Sequence, residues 1–343
     1  LLPRERRCQG PYQRAVRVAC DGHLQNEMTD YTTATHSFRR RANKKERNPM
    51  NTLLIQLIPT ALFFLSICVP VGIVVWIRRQ RKNRRNPLTF QMLRAPGESI
   101  SERIENLSSD IDQYVAFTGF IPLLCYSMYL STRYVAQTQA SPVVFLMLAV
   151  GFVAYYGFQL NKAFIQRHKE QLGLDCERAV GQELNQLMLD GYRVFHDVPA
   201  DNFNIDHVVV GTNGVFAIET KGRPKPDRGR GQDDAKVIYD GQVLQFPTWR
   251  EKEPLDQAKR QAVWLSDWLT KATGESVAAM PVLALPGWYI ELKGKGCLIF
   301  NGKNPQFLCS RNTGITLTSE QIQRISHQLD QQCRTIAAQA YRR

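Results

Sequence analysis

Asp206, Glu219 and Lys221 are the residues in this chain whose types and spacing suit chemistry at phosphorus. They lie between Asn204 and Gly222, where two β-branched apolar stretches flank Gly211-Thr212-Asn213-Gly214, the signature of a β-hairpin. Closing the turn with Gly211 opposite Gly214 sets Asp206 opposite Glu219. Directly opposed residues have Cβ atoms about 4.5 to 5.5 Å apart, so two carboxylates there repel unless positive charge intervenes. Lys221, two residues beyond Glu219, shares its face of the strand. The two carboxylates and the Thr220 backbone carbonyl are oxygen ligands of the kind Mg²⁺ or Mn²⁺ takes. Such an ion can hold a phosphate oxygen and acidify a water for attack on phosphorus. The lysine can orient or deprotonate that water, or offset charge in the transition state. Spacing alone leaves two other readings open. One is a solvated strand face. The other is a turn moved to Asn213-Gly214, which opposes Asp206 to Lys221 as an ordinary ion pair and leaves Asp206 and Glu219 as diagonal neighbours.

The elements that must position these residues are legible on either side. Val180, Leu184, Leu187 and Met188 recur at helical spacing and stop at Asp190-Gly191. Glu183 stands at the edge of that face, either as a further carboxylate for water or metal or as an ordinary helix-edge acid. A strand from Tyr192 to Val198 leads into the hairpin, and a loop rich in Gly, Pro and basic residues leaves it. Short strands are expected near 237–239 and 243–246. Pro254 then opens a helix at its natural first-turn position, with Leu255, Ala258, Ala262, Leu265 and Leu269 facing a core. Gln257, Gln261, Trp264 and Trp268 make a neighbouring stripe that reads as an extension of that core face or as a surface on which bases stack. Buried strands follow at 282–285 and 296–300, and Thr318-Ser319-Glu320-Gln321 has the pattern of a capping box.

The N-terminal part has a different character. Three uncharged apolar runs, 53–77, 115–132 and 143–160, are long enough to cross a hydrocarbon core of roughly 30 Å. Basic residues follow the first and third runs, and only Arg133 lies in the loop between the second and third. The charge asymmetry predicts an outer N-terminus and a cytoplasmic C-terminus. The expected organisation is a leader at 1–49, with Met50 as the candidate native start, and a membrane helix at 50–80. A linker with an amphipathic helix follows at 81–114, then two membrane helices at 115–162 and a folded domain at 163–343. Within the linker, Ile100, Ile104, Leu107, Ile111 and Tyr114 form one apolar stripe, read as a packed helix.

The formal charge of +13 is concentrated near the N-terminus, and residues 175–343 carry only +1. Global charge is therefore weak support for a nucleic-acid partner. The eight cysteines include no Cys-x-x-Cys, and no two of the six histidines stand at metal spacing, which argues against a zinc ribbon or finger. His-Glu-x-x-His, Gly-x-Ser-x-Gly and Walker phosphate-loop patterns are all missing.

From Glu177 to about Leu329 the chain resembles the NERD family, the nuclease-related domain, itself similar to the PD-(D/E)xK nuclease superfamily. Gly181-Gln182-Glu183, Gly191-Tyr192-Arg193-Val194, Pro254-Leu255-Asp256-Gln257-Ala258 and Leu317-Thr318-Ser319-Glu320-Gln321-Ile322 carry the resemblance. The most specific part is Ile205-Asp206-His207-Val208-Val209-Val210-Gly211 with Gly214-Val215-Phe216-Ala217-Ile218-Glu219-Thr220-Lys221-Gly222. Ile205 stands where the superfamily motif has its leading proline. The resemblance implies an α/β, restriction-endonuclease-like fold with a mixed sheet and flanking helices, here preceded by three transmembrane helices. It also implies Asp206 and Glu219 as ligands of Mg²⁺ or Mn²⁺, Lys221 as catalytic, and Glu183 and Gln257 as members of the site. The resulting expectation is a nuclease in the inner or plasma membrane, its C-terminal domain facing the cytoplasm, acting on nucleic acid with DNA favoured. The competing expectation is a non-catalytic membrane protein whose nuclease-like domain binds nucleic acid or a protein partner.

Overall fold

The computed structural model describes residues 49–81, 88, 90–134 and 137–337. Residues 1–48 of the expected leader and residues 82–85 of the basic run after the first apolar segment lie outside the described residues. The chain divides into two compact units, residues 1–73 with 126–142 and residues 74–125 with 143–343. In chain order, helix α1 is Pro49–Arg81, β1 Met92–Leu93, α2 Glu98–Tyr134 and α3 Pro142–Asn185. A short 3₁₀ turn leads to β2 Arg193–Pro199, β3 Asn204–Gly211 and β4 Gly214–Thr220. Then come β5 Lys236–Tyr239, β6 Leu244–Gln245, β7 Arg250–Glu251, α4 Glu253–Thr273, β8 Ala279–Ala284, β9 Tyr289–Leu292, β10 Leu298–Phe300, α5 Ser319–Cys333 and β11 Arg334–Ile336.

Among the described residues two helical stretches, Glu98–Tyr134 and Pro142–Asp190, are long and apolar enough to cross a membrane. The first expected span falls in α1, where Phe64–Ile77 forms a shorter apolar stretch and many side chains of the first half lie outside the description. Val143, Leu146, Met147 and Phe158 of α3 point outward and are well exposed, as the lipid-facing side of a membrane helix would be. The third apolar run and the helix expected at 180–188 are one element, because α3 continues unbroken from Pro142 to Asn185.

The larger sheet has the order β10-β8-β4-β3-β2, parallel on the β10, β8 and β4 side and antiparallel across β4, β3 and β2. This mixed α/β sheet agrees with the expected class. Strand alternation sends Val208, Val210, Val215 and Ala217 to one face, where they pack on Ala262, Leu265 and Leu269 of α4 and Ile325 and Leu329 of α5. Val209, Phe216 and Ile218 go to the other face, against Val180, Leu184 and Leu187. The result is a three-layer arrangement with the sheet buried on both sides. A smaller sheet, β7-β6-β5-β9, packs a third cluster around Tyr239, Phe246 and Trp288. At the start of α5 both halves of the Thr318–Gln321 capping box form.

The segment before α2, expected as a linker, is part of the folded domain. Strand β1 pairs with β11, and Ile100 and Ile104 bury against Leu174 of α3. The packed-helix reading of that stripe therefore holds at these two residues. The anchor is Asp197 of β2, which is 2% exposed and in the left-handed region at φ 47°. Its carboxylate accepts from Arg94 Nε at 2.8 Å and Nη2 at 2.5 Å, from the Ser99 amide and hydroxyl at 2.9 and 2.7 Å, and from Asn204 Nδ2 at 2.9 Å. A buried carboxylate is tolerable only when it is paired and its remaining lone pairs are satisfied, and removing one partner leaves an uncompensated charge. Arg94→Ala should destabilise the second unit by about 3 kcal/mol, measured by denaturant unfolding of the full chain in detergent. A loss below about 0.5 kcal/mol, the scale of an ordinary surface substitution, would show that Asp197 does not need this clamp.

Candidate active site

Strands β3 and β4 pair in the first of the two registers open to the sequence. Gly211 is opposite Gly214, Val210 opposite Val215, and the ladder runs to His207 opposite Ile218. Asp206 and Glu219 are the next positions in that register, where the strands part. The Asp206 carboxylate turns to accept the Thr220 amide at 2.6 Å, while Glu219 and Thr220 continue pairing on the other side with Leu283 and Ala284 of β8. The parting of β3 from β4 leaves an opening at the sheet end, and there the chain forms a cavity of about 710 Å³. Asp206, Glu219, Thr220 and Lys221 line it together with Gln257 of α4.

Two charged contacts organise the acids. Lys221 Nζ lies 2.5 Å from Glu219 Oε1, and Gln261 Nε2 donates to Glu219 Oε2 at 2.5 Å and to the Asn204 carbonyl at 3.3 Å. Gln261 is 1% exposed, and its Oε1, like the Thr220 hydroxyl oxygen, has no hydrogen-bond partner among the described residues. Lys221 keeps 23% of its side chain exposed and so reaches the cavity.

Of the α3 carboxylates, Glu170 and Glu177 line the cavity, and Glu183, the one expected there, does not. Glu177 is 7% exposed and lines the cavity. Glu183 is half-buried, receives Gln186 Nε2 at 3.1 Å, and is not among the cavity-lining residues. Six residues along a helix turn the side chain through about 600°, so the two acids cannot share a face. The signal for Glu177 was present in the sequence. It falls on the stripe of Val180 and Leu184, and an acid in the middle of an apolar helix face calls for an explanation. Gln261 shows the same signal among Ala258, Ala262 and Leu265. Gly222 allows the close approach of α3, since a Cβ there would meet the Leu172 carbonyl at 3.2 Å and Cys176 Sγ at 3.0 Å.

Three acids crowded into one buried place perturb one another. Burial first, then the Asp197 and Glu219 carboxylates, pushes Glu177 up to about 8. Burial, then Glu219 and Glu177, holds Asp206 well above the ordinary carboxylate range. Burial leads in both shifts and the neighbouring carboxylates add to it; a bound divalent cation would act in the opposite direction. Among the described residues no group of three or more His, Cys, Asp and Glu side chains forms a ready-made metal cage. That donor set does not suit zinc, but it fits Mg²⁺, which is typically held by one or two carboxylates plus water and substrate phosphate. His207 lies on the sheet face opposite Asp206, as expected. It meets His196 through their Nδ1 atoms at 2.9 Å, and burial lowers His196 to about 4 and His207 well below its ordinary value. The two imidazoles form a neutral buried pair outside the cavity lining.

Residues 172–286 match the nuclease-related domain family, NERD. The matched segment is roughly a third of the chain and holds Glu177, the hairpin, Lys221, Gln257 and Gln261, which points to a nuclease-like function. No curated protein and no solved structure matches the chain. The α2 residues Ser99, Ile100 and Arg103 line the same cavity and lie outside the matched segment.

The strain on Glu177 has a measurable consequence. Its folded-state value lies above its unfolded one, so the folded state binds the extra proton between pH 4.5 and about 8. Stability therefore falls as pH rises through that window. Glu177→Gln should stabilise the metal-free protein by about 3 kcal/mol at pH 8, with the gain fading toward pH 4.5. Thermal unfolding in chelator at both pH values measures it, and a variant no more stable than wild type at pH 8 would refute the crowding.

Proposed function

We propose that this chain is a membrane-anchored, divalent-metal-dependent nuclease whose C-terminal domain faces the cytoplasm and hydrolyses phosphodiester bonds of nucleic acid, with DNA favoured. The carrying observation is the convergence of Asp206, Glu219, Lys221 and Glu177 on one cavity within a segment that matches the nuclease-related domain. The resemblance to PD-(D/E)xK nucleases supports the same reading. Asp206, Glu219 and the Thr220 carbonyl would hold Mg²⁺ or Mn²⁺. When bound, the ion supplies Lewis acidity toward a phosphate oxygen and a more acidic water. The rest falls to the chain's own groups. Lys221, oriented by Glu219, faces the attacking water and the charge that develops on the phosphoryl oxygens. Gln261 fixes the second oxygen of Glu219, so the carboxylate cannot swing away from the cavity. Glu177 takes the helix-carboxylate role expected of Glu183, and Gln257 contacts the substrate at the rim. Membrane anchoring rests on the apolar runs and their basic flanks, which give the cytoplasmic orientation.

Full-length protein in detergent, offered single- and double-stranded DNA and RNA, should cleave with Mg²⁺ or Mn²⁺ and not in chelator. Asp206→Ala and Lys221→Ala should each lower the rate by about 10²-fold or more. Glu177→Gln should do likewise, and Glu183→Gln should stay within a few-fold of wild type. If Asp206→Ala matches wild type under every condition, the enzyme reading falls and the non-catalytic binding reading takes its place. Reporter fusions should give cytoplasmic signals after Arg85 and Arg343 and an external one after Gln137; a cytoplasmic signal after Gln137 would overturn the orientation.

A further inference from the structure

Beside the cavity lies a run of aromatic rings that the chemistry above does not use. Phe203, in the loop that forms one lip of the cavity, meets Trp264 edge-on with centroids 5.6 Å apart. Trp264 and Trp268 lie nearly parallel at 6.0 Å and 12°. Both indoles are only half-buried, with their inner edges on the core beneath α4. Trp264 Nε1 donates to Asp201 Oδ2 at 3.1 Å, which fixes the ring's orientation. The stripe continues the helical row of Gln257, in the cavity, and Gln261, on Glu219. From Gln261 the indoles stand about 5 and 10 Å farther along α4, or one to three stacked nucleotide steps at about 3.4 Å each. Lys271, on the same side one turn beyond Trp268, is exposed.

We propose that Phe203, Trp264 and Trp268 form a stacking platform for the unpaired bases next to the phosphate bound in the cavity, making a single strand or frayed end the preferred substrate. The proposal rests on the nuclease reading of the cavity and names its substrate class. Charge supports it. Residues 175–343 carry a net +1, too little to draw much affinity from counterion release on duplex DNA. Stacking on aromatic rings does not depend on net charge and tolerates any base, because every base has a π-face. Along a paired duplex every internal base is stacked on both sides, so only an end pair offers a free face to the platform. Ile100 and Arg103 of α2 and the Ala200–Phe203 loop line the same cavity, so the platform and the acids share one opening.

The test is binding of fluorescent strands to the full chain in detergent with Mg²⁺, carrying Lys221→Ala so that strands survive the measurement. The probes are a short single strand, its blunt duplex, and copies of the single strand with one abasic position moved along the sequence. The single strand should bind at least about tenfold more tightly than the duplex. An abasic gap at one or two adjacent positions should weaken it by about tenfold. Trp268→Ala should remove both differences and Trp268→Phe should retain them. The abasic scan changes only the ligand, so it stands even where Trp268→Ala unfolds the protein. Strands and duplex bound equally well, with a flat abasic scan, overturn the platform and leave the nuclease reading intact. Failure of every probe to bind, together with failure of wild-type protein to cleave, overturns both.

Discussion

The constraint on which this structure depends is the crowding of like charge at one end of a buried sheet. Asp206 and Glu219 are brought together by the β3–β4 register, and α3 adds Glu177 from the other side. No hydrophobic gain explains three acids converging where water is scarce, and burial raises the energy of each charged form. The surrounding framework holds them in place regardless. Lys221 and Gln261 fix Glu219, the Thr220 amide fixes Asp206, and the missing side chain at Gly222 lets α3 come close. Crowding of this kind is relieved only by positive charge brought close to the carboxylates.

Much of this was legible in the chain itself. Hairpin parity places Asp206 and Glu219 on one face in either of the two registers the sequence leaves open, because strand alternation has a period of two. The α4 core face and the Thr318 cap are equally local patterns. The long-range parts were not legible. Glu183 stood out through its neighbours in sequence, whereas Glu177 shows only as an acid on an apolar helix stripe, and the packing of α3 on the sheet is what gives that stripe its place at the cavity. The docking of residues 92–104 rests on Asp197 and on pairing of β1 with β11, a contact across more than two hundred residues that no local periodicity reports. Short edge strands such as β9 also carry too little alternation to be recognised.

The aromatic stripe on α4 shows why periodicity alone leaves such questions open. A helix face that is partly core and partly surface gives the same pattern whether its outer edge is idle or occupied. Within single side chains, each indole packs partly on the core beneath α4 and keeps part of its surface exposed. One residue can therefore serve stability and recognition at once, which is why truncating it and gapping the ligand report different quantities.

The unbroken helix α3 also governs reach. A flexible tether lets a domain explore a volume whose radius grows with the square root of its length. Here the residue that carries Glu177 sits on the same rigid rod as the apolar run ending near Leu160, about 25 Å farther along at 1.5 Å per residue. With that run in a bilayer, the acids are held in a thin layer above the surface at a fixed height and heading. In that setting encounter would be set by what comes to that layer, as at a fixed station rather than a searching one.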